Sequence, residues 1–177
     1  MIYFITGNKN KLAEARAILG DVEGCDIDLP EVQEIDAHVI IREKLQEALE
    51  HKSGEFMVED TSLYFDALNG LPGPLIKWFM KTIGNDGLYE LANKLGNTKA
   101  TAKTLIGYAK SANEIEFFEG SLDGVIVKPS GESNFGWDPI FQPNGHNLTF
   151  AQMGADEKNS ISMRKMALEK LRQHLSR

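Results

Sequence analysis

The chain has a single cysteine, Cys25, so no internal disulfide can form and a reducing setting is expected. Cys25 has no obvious catalytic partner in the sequence and reads as a small core or surface residue, not a nucleophile. Long hydrophobic runs are also missing. No segment approaches the roughly 20 apolar residues of a membrane helix, and Ile2–Ile5 give way at once to polar residues. Neither a membrane partner nor a secretory leader is therefore expected. Positive charge is scarce: 19 Lys and Arg face 26 Asp and Glu, leaving a net charge of −7 and a pI near 5.1. A general binder of duplex DNA or RNA needs a broad basic surface, so nucleic acid is not an expected partner, while a small anionic ligand stays open. His38, His51, His146 and His174 are scattered, and no Gly-x-Ser-x-Gly occurs, so no hydrolytic triad is apparent. No Cys/His spacing suggests zinc, and there are no repeats or low-complexity tracts.

What is present is ordinary in bulk: 177 residues, 42% hydrophobic and 25% charged, which predicts one globular domain with a sizeable core, in the cytoplasm. A first strand is expected at Ile2–Ile5, a helix from about Asn8 to Leu19 stopped by Gly20, and a short strand at Cys25–Leu29. Ile41, Leu45, Ala48 and Leu49 predict an amphipathic helix near Val39–His51, and Phe56–Val58 a buried strand. After the rigid Gly70-Leu71-Pro72-Gly73-Pro74 loop come a helix carrying Lys77, Trp78 and Phe79, and another over about Leu88–Leu95. Ala100–Ala109, Ile115–Glu119 and Leu122–Lys128 read as three strands of a meander, Ser133–Pro143 as a loop, and a last helix starts near Ser160. Helix–strand alternation followed by consecutive strands predicts an α/β fold with a mixed sheet.

Several residues could carry chemistry. Thr6, Gly7, Asn8, Lys9, Asn10 and Lys11 join the first strand to the first helix. Lysines in a first helical turn oppose the dipole, so something anionic is expected nearby, and Gly7 would let a phosphate approach the backbone. An ordinary turn with surface lysines is the even alternative. Glu59 and Asp60 follow an apolar strand at a sheet end, where α/β ligand sites form; they suit Mg²⁺ or a water-orienting role, or equally a strand end with Asp60 or Thr61 as a helix cap. Glu31 and Glu34 lie in a polar loop, Lys44 sits beside the buried face of its helix, and Lys77 follows the Gly-Pro loop; each also reads as a surface charge. In Phe135-Gly136-Trp137-Asp138-Pro139 the aromatics could stack on a purine or plug the core. Lys158 and Arg164, read as lying at the start of the last helix, repeat the oddity of residues 9–11, so two helix starts could share one anionic ligand.

These segments in this order resemble the inosine triphosphate pyrophosphatase family over nearly the whole chain. The match runs through Thr6-Gly7-Asn8 with Lys11, Leu29-Pro30-Glu31, Val58-Glu59-Asp60-Thr61, Asn69 to Pro74 with Lys77-Trp78-Phe79, Phe135 to Pro139, and Glu157-Lys158-Asn159. Each motif alone is weak, but six in sequence are specific. The resemblance implies an elongated central sheet flanked by helices, two lobes with a nucleotide cleft, and a homodimer. It implies Mg²⁺-dependent hydrolysis, with Mn²⁺ as a substitute, of inosine, deoxyinosine and xanthosine triphosphates to monophosphate and pyrophosphate. The alternatives are a nucleotide-sensing module without turnover and a broad-specificity phosphohydrolase. By the same resemblance Thr6 to Lys11 form the phosphate loop, and Glu31 and Asp60 are the metal carboxylates, with Asp60 also the base. Thr61 joins the substrate-binding set, Lys44 and Lys77 bind phosphate, and Phe135 stacks on the base. Gly136, Trp137, Asp138, Lys158 and Arg164 surround the base edge and the phosphates. One departure stands out: Ser162-Met163-Arg164 replaces the family's Ser-His-Arg, and Met163 cannot make a histidine's hydrogen bonds.

Overall fold

The structure is a computed structural model and describes residues 1–27, 29–132 and 136–177. The element order is β1 (Ile2–Ile5), α1 (Lys9–Leu19), β2 (Val22–Cys25), α2 (Ala37–His51), β3 (Glu55–Phe65), β4 (Pro72–Gly73), α3 (Ile76–Thr82), α4 (Gly84–Lys94), β5 (Lys99–Ser111), β6 (Glu114–Ile126), β7 (Phe141–Pro143), α5 (Ala155–Ile161) and α6 (Met163–Leu175). The strands make one mixed sheet in the order β2-β1-β3-β5-β6-β7, with β4 pairing β3. The expected α/β class with a helix-flanked mixed sheet is what the chain forms.

Two compact units are present. The first comprises residues 1–61, 104–120 and 164–177. Here β1 runs parallel to β2 (Ile2↔Val22 to Ile5↔Cys25) and to β3 (Ile2↔Glu55 to Phe4↔Met57). Side chains alternate along a strand, and the apolar clusters follow that alternation. Phe56 and Val58 pack with Ile41 and Leu45 of α2, while Met57 packs with Ala15 of α1 and Ala167, Leu168 and Leu171 of α6. Helices α1 and α2 therefore cover opposite faces, and with the order β2-β1-β3 the chain reverses its direction of winding at β1. Ligands in open α/β sheets bind at the carboxyl ends of strands at such a switch point. At the interior, α2 lies close to the sheet: a Cβ on Gly107 of β5 would stand 2.2 Å from Ile41 Cγ2 and 2.8 Å from Leu45 Cδ1.

The second unit comprises residues 62–103 and 121–163. Its core gathers Leu63, Phe65, Leu88, Ile140, Phe141 and Phe150 with Trp137 and Met163. The Gly-Pro loop turns back along β3 through β4 (Leu63↔Gly73, Tyr64↔Pro72), with Gly73 at a φ of 52° that glycine adopts without strain.

Several expectations change. The strand expected at Phe56–Val58 runs on to Phe65, so Glu59, Asp60 and Thr61 lie within β3 and neither Asp60 nor Thr61 caps a helix. The strand expected at Cys25–Leu29 is Val22–Cys25, because its partner β1 ends at Ile5, opposite Cys25. The two strands expected at Ile115–Glu119 and Leu122–Lys128 are one strand, β6: Gly120-Ser121 reads as a turn in sequence, but Gly120 is buried within the strand. The last helix is two, α5 and α6, broken at the extended residue Ser162. Lys158 then lies in the last turn of α5, where a cation suits the dipole.

Candidate functional site

The turn after β1 closes on itself. The Thr6 hydroxyl accepts the Asn8 N–H at 3.1 Å, and Asn8 caps α1 by accepting the N–H groups of Asn10 and Lys11 at 3.0 and 3.2 Å. Gly7 needs neither a positive φ nor close packing: a Cβ there would meet only Asp26 Oδ1, at an ordinary 3.8 Å. The fold leaves this position open at the carboxyl end of β1.

The anion that the lysines called for is internal. β1 pairs with β3 through Met57, so Glu59 lies just past the end of β1, on the α1/α6 face with Met57. Its side chain is 2% exposed. Lys11 Nζ reaches Glu59 Oε1 at 2.9 Å. Arg164 grips both oxygens, Nε to Oε2 at 2.8 Å and Nη2 to Oε1 at 3.1 Å, and donates through Nη1 to Glu14 Oε2 at 3.0 Å. The Thr61 hydroxyl donates to Glu59 Oε1 at 3.0 Å. Thr61 and Thr104 hydroxyls are also 3.0 Å apart; a hydroxyl has one proton, so Thr104 is the donor in that pair. Burial alone would push the Glu59 carboxyl up, but the Arg164 and Lys11 charges outweigh it and hold the group at about 2. Arg164 is mostly withdrawn from solvent, which on its own would favour the neutral form, yet Glu59 and Glu14 raise its pKa. Two of the singled-out cations thus converge, and what they converge on is Glu59.

On the other face, alternation groups Asp60 with Val58, toward α2. Lys44 of α2 donates to Glu31 Oε1 at 2.7 Å, and Leu29, two residues before Glu31, packs on the same cluster as Val58. Among the described residues no group of three or more His, Cys, Asp or Glu side chains could hold a metal by itself. Glu31 and Asp60 are hard oxygen donors, and Mg²⁺ commonly takes one or two carboxylates and completes its shell with waters and substrate phosphates. The donor set fits that shared arrangement and not an all-protein cage.

In the second unit, Lys77 Nζ stands 5.8 Å from the ring centre of Trp78, whose side chain is largely exposed. Trp137 is buried edge-on to Phe141, with ring centres 5.6 Å apart. Asp138 is buried and takes an ion pair from Lys158, and Asn85 Nδ2 donates to the Gly136 carbonyl at 3.1 Å. Met163 packs into the apolar core of this unit, 5% exposed. Phe135 lies outside the described residues. Sequence reasoning missed Glu14 and missed the use made of Glu59. The available signal was parity: Glu59 shares a strand face with buried Met57, while Asp60 does not.

A model of the Ham1 family matches residues 2–174. The chain belongs to the Ham1 family. Among its relatives, a Schizosaccharomyces pombe protein named inosine triphosphate pyrophosphatase is 47% identical over 178 residues, covering 98% of this chain and 94% of that protein. The solved HAM1 protein of Coxiella burnetii shares the fold with a TM-score of 0.88 at 25% identity, covering 99% of this chain and 98% of its own. A dITP/XTP pyrophosphatase from Mycobacterium abscessus matches with a TM-score of 0.76 at 28% identity over 96% of this chain and 97% of its own. The match of this Ham1 chain to its relatives spans both units, so the switch-point cluster and the Asp138–Lys158 pair both lie within the matched length. No helix among the described residues of this Ham1 chain is long and apolar enough to cross a membrane.

Proposed function

We propose that this chain hydrolyses the triphosphates of inosine, deoxyinosine and xanthosine to the nucleoside monophosphate and pyrophosphate. The observation that carries the reading is the switch-point cluster: Lys11 and Arg164 ordered around buried Glu59 beside an open glycine turn. The near-full-length identity to proteins named for this activity supports it.

Water attacks the α-phosphorus directly, and no covalent intermediate is required. Asp60 orients that water and accepts its proton. Thr6 to Lys11 receive phosphate oxygens, and Lys44, paired with Glu31, offsets developing charge. Glu31 and Asp60 would hold Mg²⁺, or Mn²⁺ in its place. When bound, the ion neutralises substrate oxygens as charge develops. Catalysis then rests on positioning and electrostatics, as in phosphoryl transfer generally. Selection for a 6-oxo purine needs a donor facing O6, which adenine's amino group would leave unmatched. The family resemblance also supports a homodimer in the cytoplasm.

Incubation with Mg²⁺ and a panel of ITP, dITP, XTP, GTP and ATP, with pyrophosphate and orthophosphate measured separately, tests the reading. Pyrophosphate from the first three, at rates well above those for ATP, is expected. Orthophosphate alone would overturn the bond assignment, and equal rates on ATP and ITP would overturn the selectivity.

A further inference from the structure

We infer that Glu59 is a positioning residue: a buried counter-anion that locks Lys11 and Arg164 into one fixed cationic face. The inference rests on the phosphate-binding reading above and goes beyond it, because it assigns a job to a buried acid of the site that, in that reading, neither holds metal nor meets the attacking water.

Four donors meet this carboxylate. Oε1 receives Lys11, Arg164 Nη2 and Thr61, and Oε2 receives Arg164 Nε. An oxygen that already accepts three hydrogen bonds is poorly placed to take a proton or a cation as well. The side-on grip fixes the guanidinium plane, since two parallel N–H···O bonds leave it no rotation. Lys11 comes from the first turn of α1 and Arg164 from the first turn of α6. Glu59 ties the two helix starts to the end of β3. The carboxylate is itself held from behind by the Thr104-to-Thr61 hydroxyl chain, and Thr104 is fully buried. Glu14 adds a second negative charge on Arg164, so Lys11, Arg164, Glu59 and Glu14 sum to zero. The cluster is therefore built for orientation and not for raw attraction. Held cations need no reorganisation when charge develops on a phosphate, and this is where preorganised electrostatics act.

The test compares the whole protein with Glu59→Gln and Thr104→Val, with folding checked by thermal denaturation. The readouts are kcat on ITP with Mg²⁺ and the affinity for inorganic pyrophosphate across a salt series. Glu59→Gln keeps the shape but removes the negative charge. Its kcat is expected to fall about 10- to 100-fold, and pyrophosphate binding should weaken more steeply with salt than in wild type, because the two cations now carry net charge. A purely structural role would lower activity only with the folded fraction and leave the salt slope unchanged. That outcome, or an unchanged kcat, overturns the inference. Should Glu59→Gln fail to fold, Thr104→Val decides. It leaves every charge in place and removes the hydrogen bond that holds the Thr61 hydroxyl toward Glu59, so kcat should fall about 3- to 10-fold with the wild-type salt slope; wild-type kcat overturns the inference. A wild-type protein that releases no pyrophosphate from ITP would strike the hydrolysis reading alone, since the salt series on pyrophosphate still reports on Glu59.

Discussion

With its carboxyl at about 2 in the fold against an ordinary 4.5, Glu59 couples stability to pH. The pKa is depressed on folding, so the unfolded chain takes up a proton near pH 4.5 while the folded one holds out to about 2. The stabilisation is fully present above pH 4.5 and is lost as the pH falls through that window. It amounts to something on the order of 3 kcal/mol, from about 1.4 kcal/mol per unit. Urea unfolding of wild type and Glu59→Gln at a series of pH values between 6 and about 2 checks this. The gap between the two proteins should close as the pH drops, and parallel curves would remove Glu59 from the acid response. At neutral pH the variant is less stable, because two partly buried cations lose their shared carboxylate and Arg164 is left with Glu14 alone.

The β1–α1 turn poses the opposite case at the level of an element. Gly107 is glycine because α2 presses on β5, but nothing in the packing or the backbone asks for glycine at position 7. Gly7→Ala should therefore fold as well as wild type, or gain a few tenths of a kcal/mol through the unfolded chain, while the KM for ITP rises about tenfold as the methyl group enters the phosphate approach. Steady-state kinetics beside a melting curve decide it; an unchanged KM would mean that Thr6 to Lys11 do not cradle phosphate. The elements themselves were unequally legible. Strand β1 and helices α1 and α2 follow from local apolar spacing and a glycine stop, and they appear within a few residues of the expected bounds. Strand β6 and the α5–α6 break were not legible, because Gly120-Ser121 carries a local turn signal inside the strand and the residues around Ser162 carry a helix signal across the break. The site shows the same divide. A misplaced lysine in a first turn announces a nearby anion, but not which one: Arg164 and Glu59 are 105 residues apart, and the packing of α6 on the Met57 face of β3 brings them together.

At the scale of the whole molecule, four of the six cations singled out in the sequence are already paired. Lys11, Lys44, Lys158 and Arg164 each contact a carboxylate, on a chain whose net charge is −7. Cationic funnels speed the capture of anions, and that advantage collapses as salt screens it. A molecule in which most of these cations are locally cancelled and whose total is negative has little such advantage to lose. The kcat/KM for ITP at fixed Mg²⁺ should accordingly change by less than about threefold between roughly 20 and 200 mM salt, a range over which the screening length falls about threefold. A slight rise is as consistent as a slight fall, because screening also weakens repulsion from the acidic surface. A tenfold fall would show that the cations meet the substrate unpaired, and that Lys11 and Arg164 leave Glu59 when the nucleotide binds.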